Sequence, residues 1–165
     1  MIRSQLRLEA QHACAVAQVL SSAAAPADDE REAEFQQSGV HYLTSVLGWF
    51  AEREARLEER VLARLTQADP LRAVLTAALA SPGTSREALE RLAQARAHPP
   101  ARQGLAQFLT GPWSRRREAL DAALASHRRV ADWRAASGLL ADGMLKEREL
   151  YARIESWRTA AAAGA

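Results

Sequence analysis

The stretch GVHYLTSVLGWFAEREARLEERVLARL, residues 39–65, decides the fold class. Its large apolar residues recur at steps of three, four or seven: Leu43, Leu47, Phe50, Leu57, Val61 and Leu65. That spacing places them on one face of an α-helix. The stretch therefore predicts an amphipathic helix whose apolar stripe faces a protein core.

The same periodicity lies on both sides of this helix. We predict a first helix over about residues 3–23 and a last long helix from Ser114 to about Trp157, with a bend at Ser137-Gly138. The first stripe is Ile2, Leu6, Ala13, Val16 and Leu20, and the last is Leu120, Leu124, Ala131, Leu140, Met144, Tyr151 and Ile154. Three long helices with apolar stripes have to pack against one another.

Proline and glycine divide the rest of the chain. The predicted breaks are Ala25–Asp28, Asp69-Pro70, Ser81-Pro82-Gly83, His98-Pro99-Pro100 and Thr110-Gly111-Pro112. Asp29 with Glu32, and Thr84 with Glu87, have the spacing of capping boxes at helix starts. Three short helices are expected between the long ones, ending near residues 80, 97 and 109.

These elements predict an all-α fold. We expect a four-helix-bundle-like single domain over residues 1–159, in which three long helices form three walls and the broken middle section forms the fourth. Residues 160–165 are expected to be a frayed, alanine-rich tail. The 37 alanines among 165 residues agree with a helical chain.

Composition argues against several kinds of site and against a membrane or secreted protein. The single cysteine, Cys14, excludes an intramolecular disulfide and the usual cysteine-rich zinc sites. No apolar run approaches the roughly 20 residues that span a bilayer, and the N-terminus lacks the apolar core of a signal peptide. We therefore expect a soluble cytoplasmic protein without a membrane partner.

Charge gives no strong indication of a partner. The 22 basic and 20 acidic residues are interleaved, and the net charge is +2, so nucleic acid is not an expected partner. Arg115, Arg116 and Arg117 open the last helix, where positive charge opposes the helix dipole. Either a solvated cluster or an anionic partner explains that placement.

Five polar residues lie on the predicted apolar stripes or beside them: Glu9, His12, Glu54, His127 and Glu147. A buried carboxylate must be paired, neutralised, solvated or bound to a metal. Glu9 and His12 form the Glu-x-x-His pair that carboxylate-bridged di-iron bundles use, and the other three are candidates for the remaining ligands. The structural interpretation is that these residues lie at the ends or edges of the bundle and bind arginines such as Arg53 or Arg148.

The segment Trp49-Phe50-Ala51-Glu52-Arg53-Glu54 resembles the His-Phe-x-x-Glu-Glu helix of bacterial hemerythrin-like proteins. Leu8 and His12 are similar to the opening helix of that family, which carries one histidine ligand, and residues 145–151 to its last helix. The resemblance implies a helical bundle that binds two non-haem iron ions and oxygen.

The chain departs from that pattern at several ligand positions. Trp49 stands where the histidine of the second helix belongs, and Arg53 where its carboxylate belongs. If His41 is taken as the histidine of the second helix instead, Ser45 falls at the position of the carboxylate ligand. In the last helix, Asp142 lies near the position at which the family has a histidine. Shared ancestry would therefore imply a di-iron site that has been lost or rebuilt.

Two functions follow from these patterns. The first is a non-catalytic helical module that binds a protein partner or forms a homo-oligomer and has no cofactor, because no complete catalytic set is present. The alternative is a hemerythrin-like or ferritin-like protein that binds non-haem iron through Glu9, His12, Glu54, His127 and Glu147.

Overall fold

The computed structural model of the chain describes residues 2–125, 147–156 and 159, and every regular element among them is helical. The all-α class predicted from the sequence is confirmed. The predicted bend at residues 137–138, the position of His127 and the tail 160–165 lie outside the described residues.

The first helix and the start of the second lie close to the predicted positions, but the α-helical part of the second, which the sequence predicts to run to about Gln67, ends earlier. Helix α1 is Ile2–Ser22 and helix α2 is Glu30–Arg56. The Asp29 side chain accepts a hydrogen bond from the Glu32 backbone N–H, which is the predicted N-cap. The Glu32 carboxylate instead accepts from the backbone N–H groups of Ala24 and Asp28, so it fastens the preceding loop and does not complete a capping box.

Helix α2 ends by changing its winding. It passes into a π-helical turn, Leu57–Val61, and then a 3₁₀ turn, Leu62–Arg64. The apolar residues of these turns pack against Leu71, Leu75 and Leu120 in a second, smaller core cluster. The segment predicted to be helical to about residue 67 is thus helical to Arg64. The π-helical and 3₁₀ turns at its end direct their apolar side chains toward α3.

The next two helices begin at the predicted caps. They are α3, Pro70–Ala80, and α4, Ser85–Ala97. Asp69 accepts from the Leu71 backbone N–H, and Thr84 and Glu87 form a reciprocal capping box. These starts follow from chemistry within a few residues of the chain, which is why the sequence located them.

The predicted end of the next helix at Thr110-Gly111-Pro112 is wrong. Helix α5, Arg102–Phe108, continues through a π-helical turn, Leu109–Trp113, into α6, Ser114–Ala125. Proline removes one backbone donor from this turn. The Ser114 backbone N–H still donates to the carbonyls of Leu109 and Gly111, and the Leu109 carbonyl also accepts from Ser114 Oγ at 2.7 Å and Cys14 Sγ at 3.5 Å, so the helical winding continues past the proline.

The helices pack in a closed order around the main core. Helix α2 packs against α1 and α4, and α5 packs against α1 and α4, while α3 packs against α6. Residues 147–156 form a further helix, of which Leu150, Tyr151 and Ile154 pack onto the main core. This arrangement brings the inward polar residues of α1, α2, α6 and the 147–156 helix to the interior.

Among the described glycines, Gly83 is the one at which a side chain is least tolerated. Its φ angle is +94°, and a Cβ atom there would clash with the Pro112 backbone. We expect Gly83→Ala to lower the free energy of unfolding by about 2 kcal/mol or more, from backbone strain and this clash. Gly104→Ala is the matched control, since its Cβ meets nothing within 4 Å and helix propensity predicts a gain of up to about 1 kcal/mol. Equal urea midpoints for the two variants would contradict the prediction.

Candidate functional site

The buried polar residues fall into two clusters, apart from Gln36, which donates to the Ala24 carbonyl. Among the described residues, the buried polar side chains are Glu9, Gln36, Glu54, Ser85, Arg116 and Glu147. Three of the five residues predicted from the sequence, Glu9, Glu54 and Glu147, are therefore buried, and His12 is partly buried.

The first group, which we call the Glu9–Glu147 cluster, comprises Glu9, His12, Tyr42, Arg53 and Glu147. Glu147 Oε1 accepts a hydrogen bond from Tyr42 Oη at 2.7 Å and lies 2.9 Å from His12 Nδ1. One oxygen thus connects the 147–156 helix to α1 and α2. The bond to Nδ1 fixes the orientation of the imidazole ring, whose side chain remains 19% exposed.

Glu9 is held by an arginine. Arg53 Nη1 donates to Glu9 Oε2 at 2.8 Å, and the Glu9 side chain is 0% exposed. The other oxygen, Glu9 Oε1, is buried and accepts no hydrogen bond from the described residues, and the same holds for Glu147 Oε2. Buried polar atoms without a partner are uncommon and energetically costly.

The burial of this cluster changes its acidity. Burial raises the pKa of Glu9, the nearby charge of Glu147 raises it further, and the Arg53 guanidinium opposes both. Burial and the hydrogen bond to Glu147 raise the pKa of Tyr42, so its hydroxyl remains protonated and donating. Arg53 is therefore the group that favours the ionised form of Glu9.

An apolar crevice of about 30 Å³ lies beside His12. The Tyr151 ring stacks on the His12 ring, with centroids 3.5 Å apart and planes 2° from parallel. Tyr151 also lines the crevice, together with Ala15, Val16, Val19, Phe35, Ile154 and Glu155. The crevice separates α1, the start of α2 and the 147–156 helix.

The second group, which we call the Glu54 cluster, comprises Glu54, Ser85, Trp113, Arg116 and Arg117. The Glu54 carboxylate accepts hydrogen bonds from Ser85 Oγ at 2.5 Å, from Arg116 Nε at 3.1 Å and from Arg117 Nη1 at 3.3 Å. Trp113 Nε1 donates to Ser85 Oγ at 3.0 Å. Glu54 is thus surrounded by donors from the same chain.

Arg116 has a second set of partners. Its Nη1 donates to the carbonyls of Ala78 and Leu79 at 3.1 and 2.6 Å, and to that of Ser81. These carbonyls lie at the end of α3, where backbone acceptors lack helical partners and the helix dipole is negative. Arg116 therefore caps α3 while it neutralises Glu54.

The Phe50 ring separates the two clusters. The guanidinium groups of Arg53 and Arg117 lie 5.1 and 4.5 Å from its centroid, and Trp113 meets it edge-on at 5.2 Å. Burial lowers the pKa of Arg117 to about 10, so it remains charged at neutral pH. Cation–π contacts of this kind stabilise charges that are partly removed from water.

The predicted metal ligands are therefore not gathered in one place. Glu9, His12 and Glu147 share a cluster, whereas Glu54 is bound by arginines in the other, and His127 lies outside the described residues. Within the described part of the chain, no three His, Cys, Asp or Glu side chains are arranged so that they could hold a metal ion. The structural interpretation, an ion pair with Arg53, is confirmed for Glu9.

Sequence reasoning missed several members of the clusters. Tyr42 and Ser85 gave no signal, since each is an ordinary residue of an amphipathic helix or a helix start. Arg116 and Arg117 did give one, because arginines in the first turn of a helix oppose its dipole. A solvated cluster is the wrong explanation for these two, which lie inside the protein beside Glu54.

Comparison with known proteins finds no matching family model, curated protein or solved structure. In the described part of the chain, no helix combines the length and the hydropathy needed to cross a bilayer.

Proposed function

We propose that the chain is a non-catalytic helical module that binds a protein partner or a second copy of itself. The observation that supports this most directly is that groups of the same chain already engage the three buried carboxylates of the described residues. Arg53 binds Glu9, Arg116 and Arg117 bind Glu54, and the third is bound by a tyrosine and a histidine. Carboxylates held in this way fasten helices together.

The surface supports the binding part of the proposal. Leu8 and Val19 are among the described large apolar residues that remain exposed, at 41% and 40%. Both lie on α1, and Val19 lines the apolar crevice beside the 147–156 helix. Exposed apolar side chains such as Val19 beside an apolar crevice are typical of a surface that contacts another protein.

One observation favours the alternative, a hemerythrin-like or ferritin-like non-haem iron protein. Glu9 Oε1 and Glu147 Oε2 are buried oxygens without a hydrogen-bond partner among the described residues, and iron accepts carboxylate oxygens. Against it, guanidinium groups already lie beside two of the three carboxylates: Arg53 beside Glu9, and Arg116 and Arg117 beside Glu54. A divalent ion added to this set would leave excess positive charge in the interior, which is costly.

Metal analysis and light scattering together test the proposal. Protein purified from iron-supplemented cells is expected to hold less than about 0.2 metal ions per chain, since a formed site retains its ion strongly. It is also expected to form an assembly, or to bind a protein that copurifies with it. His12→Ala serves as the matched variant: iron that is bound by the native chain and lost in this variant would establish the alternative. A clean monomer with tightly bound iron would contradict the proposed function.

A further inference from the structure

The 147–156 helix lies in a groove between α1 and α2. Its inward residues follow the spacing i, i+3, i+4 and i+7: Glu147, Leu150, Tyr151 and Ile154. Its other residues, 148, 149, 152, 153, 155 and 156, are exposed. This is the pattern by which an amphipathic helix binds a groove on another protein.

Polar contacts set the register of this helix in the groove. Glu147 is fully buried, and its Oε1 atom meets both Tyr42 Oη and His12 Nδ1. Tyr151, one turn later, stacks on the same His12 ring. A shift of the helix by one residue would break all three contacts, so the groove is specific for a carboxylate followed four residues later by an aromatic ring.

The same contacts limit how tightly the helix binds. When the 147–156 helix lies in the groove, Glu147 Oε2 is buried without a hydrogen-bond partner among the described residues. The Glu147 charge also lies close enough to the Glu9 carboxylate for the two to repel each other. The crevice of about 30 Å³ beside Ile154 is also left unfilled. Uncompensated burial of a carboxylate lowers the net gain of an otherwise specific contact. The helix is therefore held specifically but with a reduced gain in free energy.

We propose that the groove between α1 and α2 also accepts the 147–156 helix of a second copy, so that two chains exchange these helices. This inference rests on the proposed function and names the surface by which the chain self-associates. An exchanged helix makes the same contacts as the chain's own, which makes exchange a low-cost route to a dimer. In the exchanged pair, the second copy supplies the carboxylate that His12 and Tyr42 bind.

Two features of the chain favour exchange between copies. In the sequence, 21 residues, 126–146, lie between the described part of α6 and the 147–156 helix, and a stretch of that many residues can span at most about 70 Å. Val19, exposed on α1 at the crevice, would be partly covered when the second copy approaches.

Cysteine cross-linking between two full-length variants tests the exchange. Val19→Cys and Glu155→Cys are prepared separately, each with Cys14→Ser, because Val19 and Glu155 line the same crevice. The two variants are mixed at high concentration and incubated in mild denaturant so that the 147–156 helix can leave its groove. They are then returned to buffer and oxidised. We expect a disulfide-linked product of about 36 kDa, twice the 18.0 kDa of one chain. Ala15→Cys, which lines the same crevice, replaces Val19→Cys if that variant folds poorly.

The matched control pairs Val19→Cys with Glu149→Cys, which lies on the exposed side of the same helix. We expect little linked product from that pair. If light scattering shows a dimer but both pairs give equally little product, the exchange is overturned while self-association stands. A metal-free monomer at every concentration overturns the exchange but leaves a different protein partner, and an iron-loaded monomer contradicts the proposed function itself.

Discussion

Replacing Arg116 with methionine is expected to lower the free energy of unfolding by about 3–5 kcal/mol, the usual result of breaking a buried ion pair from one side. The guanidinium group is 4% exposed and binds Glu54 Oε2 at 3.1 Å. Methionine fills much of the same volume but donates no hydrogen bond. It therefore leaves the carboxylate short of one charge partner and the end of α3 without its cap.

The effect on α3 is separable from the effect on Glu54. Arg116 donates to carbonyls of the last turn of α3, including those of Ala78 and Leu79. In Arg116→Met we therefore expect hydrogen exchange to accelerate most in α3, ahead of α1 and α2.

Arg115→Met is the matched control for this experiment. Arg115 occupies the neighbouring position of the same turn and is exposed. A surface substitution there is expected to change the free energy of unfolding by no more than about 0.5 kcal/mol. Urea unfolding followed by circular dichroism measures both variants, and equal midpoints would show that Arg116 is not a structural cation.

The sequence predicted the parts of the fold that depend on neighbouring residues. Asp69 before Pro70, and Thr84 with Glu87, specify helix starts through hydrogen bonds within three residues. The continuation through Pro112 could not be predicted in this way. There the chain passes Pro112 in a π-helical turn, and one of the groups that bind its Leu109 carbonyl, Cys14 Sγ, is 95 residues away in the chain.

The candidate site was likewise predictable only in part. Helical periodicity placed Glu9, Glu54 and Glu147 in the interior, and the structure confirms their burial. The sequence named Arg53 as a candidate partner for these acids but did not assign it to Glu9, 44 residues away, and it did not connect Arg116 with Glu54, 62 residues away. Pairing of inward acids with inward arginines is decided by the packing of helices, which sequence spacing does not encode.

This pairing bears on the resemblance to hemerythrin-like proteins. Arg53 occupies the position at which that family has a carboxylate ligand, and here it binds the carboxylate of Glu9. A cation supplied by the chain thus stands beside an acid that the metal interpretation assigns to iron. Removing Arg53 is therefore the most informative change in the Glu9–Glu147 cluster.

Arg53→Met is expected to lower the free energy of unfolding by about 3–5 kcal/mol at pH 8, because it leaves the fully buried carboxylate of Glu9 without its cation. Arg56→Met is the control, since Arg56 and Glu52 form a half-exposed pair at 3.7 Å that is worth no more than about 1 kcal/mol. Urea unfolding of both variants measures the difference.

The loss in Arg53→Met is also expected to depend on pH. Burial already raises the pKa of Glu9 in the native chain, and removing Arg53 removes the main group that lowers it. An acid whose pKa is higher in the folded state binds its proton more tightly there, so its unfavourable contribution grows as pH rises from the unfolded pKa toward the folded one. The variant should therefore be closest to the native chain in stability at pH 5 and furthest from it at pH 8.

A second substitution separates the charge effect from lost packing. In Glu9→Gln/Arg53→Met no buried charge remains at this pair, so we expect most of the stability to return and the added pH dependence to disappear. If the double variant is as unstable as Arg53→Met, or if the loss is equal at pH 5 and pH 8, the contribution of Arg53 is packing against Phe50 and not neutralisation of Glu9. Recovery in the double variant would establish that this interior position requires either a matched pair of charges or none.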